Sequence, residues 1–381
     1  MADILLTEEE RLLRRSVREF AEREVVPRAA DLDANPRFPW ENMRAMAALG
    51  LLGLTVDPAY GGSGGSTKAL AVAVEEIARA CAATSVTYIA HLSLAMQTLH
   101  RFAGEEQKRR LLPPMVRAER MGAFCLTEPG GGSDAAALQT TATWRDGGYV
   151  LSGTKTFITN ATVADVFVVF ATHDRAKRAK GISCFLVERG AKGLATLPLH
   201  GKMGMRASDT GTVHLEEVWV PEENRLGPEG MGFKEAMVIL DASRIAIAAQ
   251  CVGIGQAALE AALAYVQQRQ AFGQRLADFQ HTQFTLAEMA TRLEASRLLT
   301  LEAAMLCDSG QPFTHVASMA KWLASETAIW CADRAVQFHG GYGYFSPTLA
   351  ERLYRDARVL AIYEGTSEIQ RLIIARHLLG R

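Results

Sequence analysis

Glu364 lies in the stretch 362–370, Ile-Tyr-Glu-Gly-Thr-Ser-Glu-Ile-Gln, with Leu360, Ala361, Ile362 and Tyr363 before it and Gly365 after it. The nearest cation along the chain is Arg358. A carboxylate in such apolar surroundings is partly desolvated, and its pKa moves up toward neutrality. That suits a general base acting on a weakly acidic C–H. A surface glutamate in a turn has the same local sequence. Ser367 and Gln370 have capping-box spacing, so a helix starts just after the glutamate.

Four other stretches could touch a ligand. Residues 126–134 (LTEPGGGSD) follow a strand pattern. Three glycines and a serine there let backbone N–H groups approach an anion or a flat ring. The Gly-Lys-Ser/Thr of a P-loop is missing, and alone the stretch reads as a generous turn. Residues 155–160 (KTFITN) offer the Thr159 hydroxyl and the apolar face of Phe157; alone they read as a β-turn with a core aromatic. Arg269, in 269–274 (RQAFGQ), could grip a phosphate with its guanidinium fork or simply complement a helix C-terminus. In 337–344 (QFHGGYGY), Gly340 or Gly341 suits a left-handed helix cap, and His339 reads as a packed or capping residue. The basic run 175–180 (RAKRAK) reads as a solvated loop, with contact to a phosphorylated ligand or a partner protein as the alternative.

The elements that position these stretches follow from periodicity. Thr7 and Glu10 form a capping box, and Leu13, Val17, Phe20, Ala21 and Val25 follow on one helix face until Pro27 ends the pattern. Further helical patterns cover 41–49, 66–80, 84–102 and 105–117, with a glycine-rich loop at 57–66. From about residue 120, short β-branched or aromatic runs at 124–127, 140–144, 149–152, 166–170, 182–187 and 212–220 predict an antiparallel β module, with a hairpin at 144–149. Amphipathic patterns at 233–268, 279–308, 313–338 and 367–379 then predict a four-helix bundle. The expected class is α+β multidomain, with a helical domain at 1–120, a barrel-like β domain at 121–228 and a bundle with the catalytic segment at 229–381. The α–β–α order has no βαβ rhythm and argues against a doubly wound sheet.

Composition narrows the function classes. A chain of 381 residues with 49% hydrophobic side chains can bury two or three cores. A net charge of −1 argues against general nucleic-acid binding. Six scattered cysteines without a C-x-x-C pair argue against a disulfide scaffold or a zinc site and fit a reducing compartment. The acidic, amphipathic start is unlike a secretory signal, and the uncharged runs 80–99 and 245–259 are too polar or too short to span a membrane. A soluble cytoplasmic protein without a metal is expected.

Taken together and in order, FCLTEPGGGSD, KTFITNA, KMGMRASDT, RQAFGQ, QFHGGYGY and IYEGTSEIQ resemble the motifs of the flavin-dependent acyl-CoA dehydrogenases over essentially the whole chain. The resemblance implies FAD as cofactor. Phe124, Leu126, Thr127, Gly132 and Ser133 would line the flavin and the thioester end of the substrate. Phe157, Ile158 and Thr159 would pack against the flavin. Arg269, Phe272 and Gln280 would hold the pyrophosphate and adenosine of FAD in a neighbouring subunit, with Gln337, Gly340 and Gly341 contributing likewise. Thr366, Ser367 and Glu368 would meet FAD from the helix start.

Glu364 would be the base, removing the α-proton of an acyl-CoA while the β-hydride passes to the flavin. Its backbone N–H and a ribityl hydroxyl would polarise the thioester carbonyl. Ser243 stands where one branch of the family has its glutamate. Asp241 and Arg244 are similar to the substrate-contacting pair of the short-chain branch, with Ser133, Tyr363 and Gly365 also near the substrate. Many members have tryptophan where Phe157 stands, which implies a different flavin stacking. The implied function is dehydrogenation of a short or branched acyl-CoA in fatty-acid or amino-acid breakdown. The implied partners are electron-transfer flavoprotein and further copies of the chain in a tetramer. An oxidase of this fold that uses oxygen, or a non-catalytic flavin- or CoA-binding protein, is the alternative.

Overall fold

The computed structural model describes residues 2–380. Thr7 and Glu10 close the capping box reciprocally, through Glu10 N–H to Thr7 Oγ1 at 3.2 Å and Thr7 N–H to Glu10 Oε2 at 2.8 Å. Helix α1 (Glu8–Phe20) does not stop at Pro27 as the sequence predicts. It widens into a π-helical turn (Ala21–Val25) and continues as α2 (Val26–Ala34), with Pro27 in the first turn. The wide turn supplies the break at a place where a missing N–H costs little. Helices α3 (Trp40–Ala48), α4 (Thr67–Ala80), α5 (Ala82–Ile89), α6 (Gln97–Phe102) and α7 (Glu105–Val116) follow the expected patterns, with a second π-helical segment (Ala90–Met96) between α5 and α6.

The middle of the chain forms one eight-stranded sheet. Its strands are β1 (Gly122–Cys125), β2 (Thr141–Arg145), β3 (Gly148–Thr159), β4 (Val166–Thr172), β5 (Ile182–Glu188), β6 (Leu194–Pro198), β7 (Thr210–Pro221) and β8 (Arg225–Leu226). Their order is β6-β7-β3-β2-β4-β5-β8, with β1 paired to β4. The expected antiparallel module is in fact mixed. Strand β1 runs parallel to β4 from Gly122↔Val166 to Cys125↔Val169, and β2 meets β4 in parallel at Thr141↔Thr172. All seven residues of β4 are buried, because both faces of the sheet are covered. Val166, Val168 and Phe170 join the core shared with the helices, while Phe167, Val169 and Ala171 join a second core on the other face.

The C-terminal part holds α8 (Gly232–Gln268), α9 (Gln280–Asp308), α10 (Thr314–His339) and α13 (Ser367–Leu378), close to their predicted bounds. It also holds a short turn α11 (Gly341–Tyr344) and α12 (Leu349–Ala357), which periodicity missed. The bundle is therefore larger than four helices. The uncharged run at 245–259 lies inside α8, which at 37 residues is long and apolar enough by composition to cross a membrane; most of that window is buried inside the protein.

Buried polar joints fix the three parts against one another. His91 accepts from Gly122 N–H at Nδ1 and reaches the Met115 carbonyl from Nε2 at 3.0 Å, which ties the second π-helical segment to α7 and β1. Burial pushes its pKa down to about 4, so the ring is neutral. The KMGMRASDT stretch is a second joint. Met205 N–H donates to the Asp356 carboxylate, Arg355 donates to the Met203 carbonyl at 3.2 Å, and Arg355 also pairs with Asp33 and Glu351. A Cβ on Gly204 would stand 2.4 Å from the Arg355 backbone, so the sheet loop and α12 can approach this closely only through glycine.

Candidate active site

The chain leaves α12 through a 3-10 turn (Arg358–Ala361) and reaches Glu364 at φ 55° and Gly365 at φ 93°. Two successive left-handed residues, one of them a glutamate, form a strained turn that its surroundings must hold. Gln370 Nε2 donates to the carbonyls of Glu364 and Gly365 at 3.1 and 2.9 Å. Lys321 Nζ donates to the Gly365 carbonyl at 2.8 Å, and Arg244 Nε to that of Glu364 at 3.4 Å. Gly365 at φ 93° takes a conformation strained for any other residue, and a Cβ there, 2.6 Å from Gln370 Nε2, would push that amide off the carbonyls it holds.

The Glu364 side chain is half-buried, and its Oε2, shut off from solvent, has no hydrogen-bond partner. Burial pushes its pKa up to about 7, against the opposing pull of Arg244, Lys321 and the Ser243 hydroxyl. Two sequence expectations need correction. The cap of α13 is Thr366, whose hydroxyl accepts from Ile369 N–H, while Ser367 donates to Glu326 at 2.8 Å. The cations that matter are not Arg358 but Arg244 on α8 and Lys321 on α10, which only the tertiary fold brings near.

Arg244 is buried and ion-paired with Asp241, which also accepts from the Thr314 hydroxyl at 2.8 Å. The Tyr363 hydroxyl donates to Gln250 Oε1, and Gln250 donates to Ser85 Oγ at 2.8 Å. Phe124 leans on Phe170 with ring centroids 4.9 Å apart and packs with Ala90, Leu94, Phe102, Ile239 and Leu240. The end of β1 is thus set against α8 about one turn before Arg244. Phe124, Asp241, Arg244, Tyr363, Glu364 and Gly365 all belong to this one region.

The 126–134 loop and the end of β3 form a single unit. Thr156 N–H donates to the Thr127 carbonyl at 2.9 Å. Lys155, with no exposed surface, donates to Glu128 Oε1 at 2.8 Å and to the Leu126 carbonyl at 3.3 Å. Burial alone would push the Glu128 carboxyl up, but Lys155, Thr140 and Gln139 N–H hold it below its ordinary range. Sequence reasoning missed this pair; the signal was a lysine and a glutamate placed among residues of otherwise buried strands.

Beyond Lys155 the β3–β7 register slips, and the bulge turns Phe157 outward at φ 55° with 70% of its surface exposed. The sequence expected a core aromatic in the absence of a ligand. Ile158 is buried, Thr159 is half-buried opposite Thr210, and Leu126 is buried with Thr127 half-buried. Gly132 and Ser133 are exposed. A Cβ added at Gly130 would meet nothing within 4 Å and one at Gly132 only the Thr127 methyl at 3.6 Å, so packing does not demand these glycines.

A second group of candidate residues lies elsewhere. Strands β9 (Gln270–Ala271) and β10 (Gln274–Arg275) form a small hairpin that presents Phe272 at φ 54° with 96% exposure. Arg269, Gln280, Gln337, Gly340 and Gly341 are also exposed. Tyr265 stacks on His339 at 4.2 Å, so the ends of α8 and α10 meet here. Gly340 ends α10 at φ 58° and ψ −137°, a conformation open to glycine but not the left-handed helical cap that was expected. Arg244 and Arg269 stand 25 residues apart at opposite parts of the unbroken α8, about 37 Å at roughly 1.5 Å per residue. One chain does not bring the two groups together.

Among the described residues no group of three His, Cys, Asp or Glu side chains could hold a metal, and all six cysteines are free, five of them buried. Family models for the acyl-CoA dehydrogenase N-terminal, middle and C-terminal domains match residues 7–119, 123–218 and 230–379. The chain belongs to the acyl-CoA dehydrogenase family. It is 47% identical over 374 residues to the mitochondrial short-chain specific acyl-CoA dehydrogenase of Mus musculus, covering 98% of this chain and 91% of that one. It superposes on butyryl-CoA dehydrogenase from Megasphaera elsdenii with a TM-score of 0.95 and 40% identity, covering 98% and 99%. A chain from a structure of the electron transferring flavoprotein of Acidaminococcus fermentans gives a TM-score of 0.96 at 40% identity and 99% coverage of both chains.

Members of the acyl-CoA dehydrogenase family are FAD-dependent oxidoreductases that dehydrogenate an acyl-CoA, and this chain shares that activity and cofactor. The side chains present fit a flavin nucleotide. Phe157 and Phe272 expose aromatic faces that the chain itself leaves uncovered, and the 130–132 glycines leave the backbone open to close approach.

Proposed function

We propose that Glu364 is the catalytic base, which removes the α-proton of a short or branched acyl-CoA so that the trans-2-enoyl-CoA forms. The observation that carries this reading is the Glu364 carboxyl itself: its Oε2 is shut off from solvent and unpartnered, and its pKa is pushed up to about 7. A base of that strength is largely ionised at slightly alkaline pH and still holds a proton firmly once it has taken one. The Glu364 amide would donate to the thioester oxygen and stabilise the negative charge that develops as the proton leaves. Asp241, Arg244, Tyr363, Gly365 and Ser133 would line the substrate. FAD, when bound, accepts the β-hydrogen with its electron pair. Phe124, Leu126, Thr127, Gly132, Ser133, Phe157, Ile158 and Thr159 would hold its flavin end, and Thr366, Ser367 and Glu368 would meet it from the start of α13.

Arg269, Phe272, Gln280, Gln337, Gly340 and Gly341 would hold the far end of FAD bound to another copy of the chain. The separation of about 37 Å along α8 supports that reading, because one cofactor cannot reach both groups in one chain. We therefore propose a homo-oligomer, specifically a tetramer, built from units at 1–120, 121–228 and 229–381. The likeness to short-chain specific and butyryl-CoA enzymes supports a short acyl group. The likeness to a chain from an electron transferring flavoprotein structure supports that protein as electron acceptor. Free buried cysteines fit the reducing cytoplasm.

The test is Glu364→Gln. The variant should retain FAD yet lose anaerobic bleaching of the flavin band by butyryl-CoA. Bleaching at the wild-type rate would remove Glu364 from the mechanism. Titration of the wild type with acyl-CoAs of graded length and branching reads the preferred acyl group.

A further inference from the structure

Lys321 is a fully buried lysine about two turns into α10. Its ammonium donates to the carbonyl of Gly365, the residue next to Glu364. A buried ammonium is costly unless something nearby needs its charge. The groups that face it are Cys251 and Arg244 on α8, Glu326 on its own helix, Glu364 in the turn and Glu368 at the start of α13. Glu326 already accepts from Ser367, and Arg244 is paired with Asp241. Glu364 is the carboxylate among them whose Oε2 is shut off from solvent and has no partner.

We propose that Lys321 is a positioning residue for the base: it clamps the left-handed Glu364–Gly365 turn through the Gly365 carbonyl, and its charge favours the carboxylate form of Glu364. This rests on the reading of Glu364 as the base. Arg244 supplies the other cation, but its charge is shared with Asp241, whereas Lys321 has no carboxylate at ion-pair distance among the described residues. Burial lowers the Lys321 pKa to about 8, so the ammonium is retained at neutral pH and is lost on the alkaline side.

The test uses the FAD-loaded enzyme and the rate of anaerobic flavin bleaching by butyryl-CoA between pH 6 and 9. Lys321→Met removes charge and donor, Lys321→Gln keeps a donor without charge, and Lys321→Arg keeps both. In the Met and Gln variants the acidic limb of the profile should move up by about one pH unit or more, because an opposite charge near a carboxylate is lost. Bleaching at pH 7 then falls about fivefold for a shift of one unit, more for a larger one, and recovers toward the wild-type rate at pH 9. The Arg variant should keep the wild-type limb. A Gln variant whose rate falls equally at every pH, or an Arg variant whose limb moves as far as that of Met, overturns the proposal. Should Met and Gln fail to fold, the limb of the Arg variant alone decides. Glu364→Gln, measured in parallel, separates the two readings: if it still bleaches, the base assignment fails whatever Lys321 does.

Discussion

Glu235, in the first turn of α8, is 4% exposed, and its Oε2 has no hydrogen-bond partner. It is wedged against Gly227, where a Cβ would stand 1.8 Å from its Oε1. Burial pushes its pKa up to about 7 from an ordinary 4.5, with Arg225 opposing. The folded protein therefore holds a proton that the unfolded chain has lost between those two values. Stability from this group is full below about pH 4.5, declines as pH rises toward 7, and stays reduced above that. At about 1.4 kcal/mol per pH unit, the charged carboxylate costs about 3 kcal/mol at pH 8. Glu235→Gln keeps the shape and removes the charge. The variant should match wild type near pH 5 and exceed it by up to about 3 kcal/mol at pH 8, an increase in melting temperature of roughly 4 °C for a chain of this length. Melting of both holoenzymes across pH 5–8.5 is the assay. A stability difference that does not change with pH would refute the assignment of a buried, unpaired carboxylate.

Gly365→Ala forces a Cβ into a position 2.6 Å from Gln370 Nε2 at φ 93°, so it should lose about 1–3 kcal/mol of stability and most of the bleaching rate, read by melting and stopped-flow. Lys155→Met leaves Glu128 buried without its cation; it should cost about 3–5 kcal/mol and release FAD on gel filtration, with Glu128→Gln added in the same chain restoring part of the loss. Phe272→Asp alters a side chain that touches little of its own chain; light scattering should report smaller particles with less FAD, while secondary structure by circular dichroism stays unchanged.

Long periodic helices were legible in the sequence because each buries one face over many turns: α8, α9, α10 and α13 end within one or two residues of their predicted bounds. Pro27 misled because a π-helical turn absorbs it, and no local pattern announces such a turn. The parallel pairing of β1 with β4 was hidden because strand direction is set by long-range packing, not by side-chain alternation. At the site, the desolvation of Glu364 was readable from its apolar neighbours. Arg244 and Lys321 were not, since they lie 120 and 43 positions away (364 − 244 and 364 − 321) and meet it only in the folded bundle. The Lys155–Glu128 pair had only a weak signal, a lysine within an otherwise buried strand, and its partner Glu128 lies 27 positions away in a loop that only the fold brings to it.

The spacing of Arg244 and Arg269 along α8 carries a thermodynamic consequence. On the proposed assembly, a cofactor seated near Arg244 of one copy is finished by Arg269 and Phe272 of another. FAD affinity is then not a property of a single chain but depends on protomer concentration. Dilution should strip flavin from the protein, excess FAD should drive reassociation, and each process should show the concentration dependence of the other.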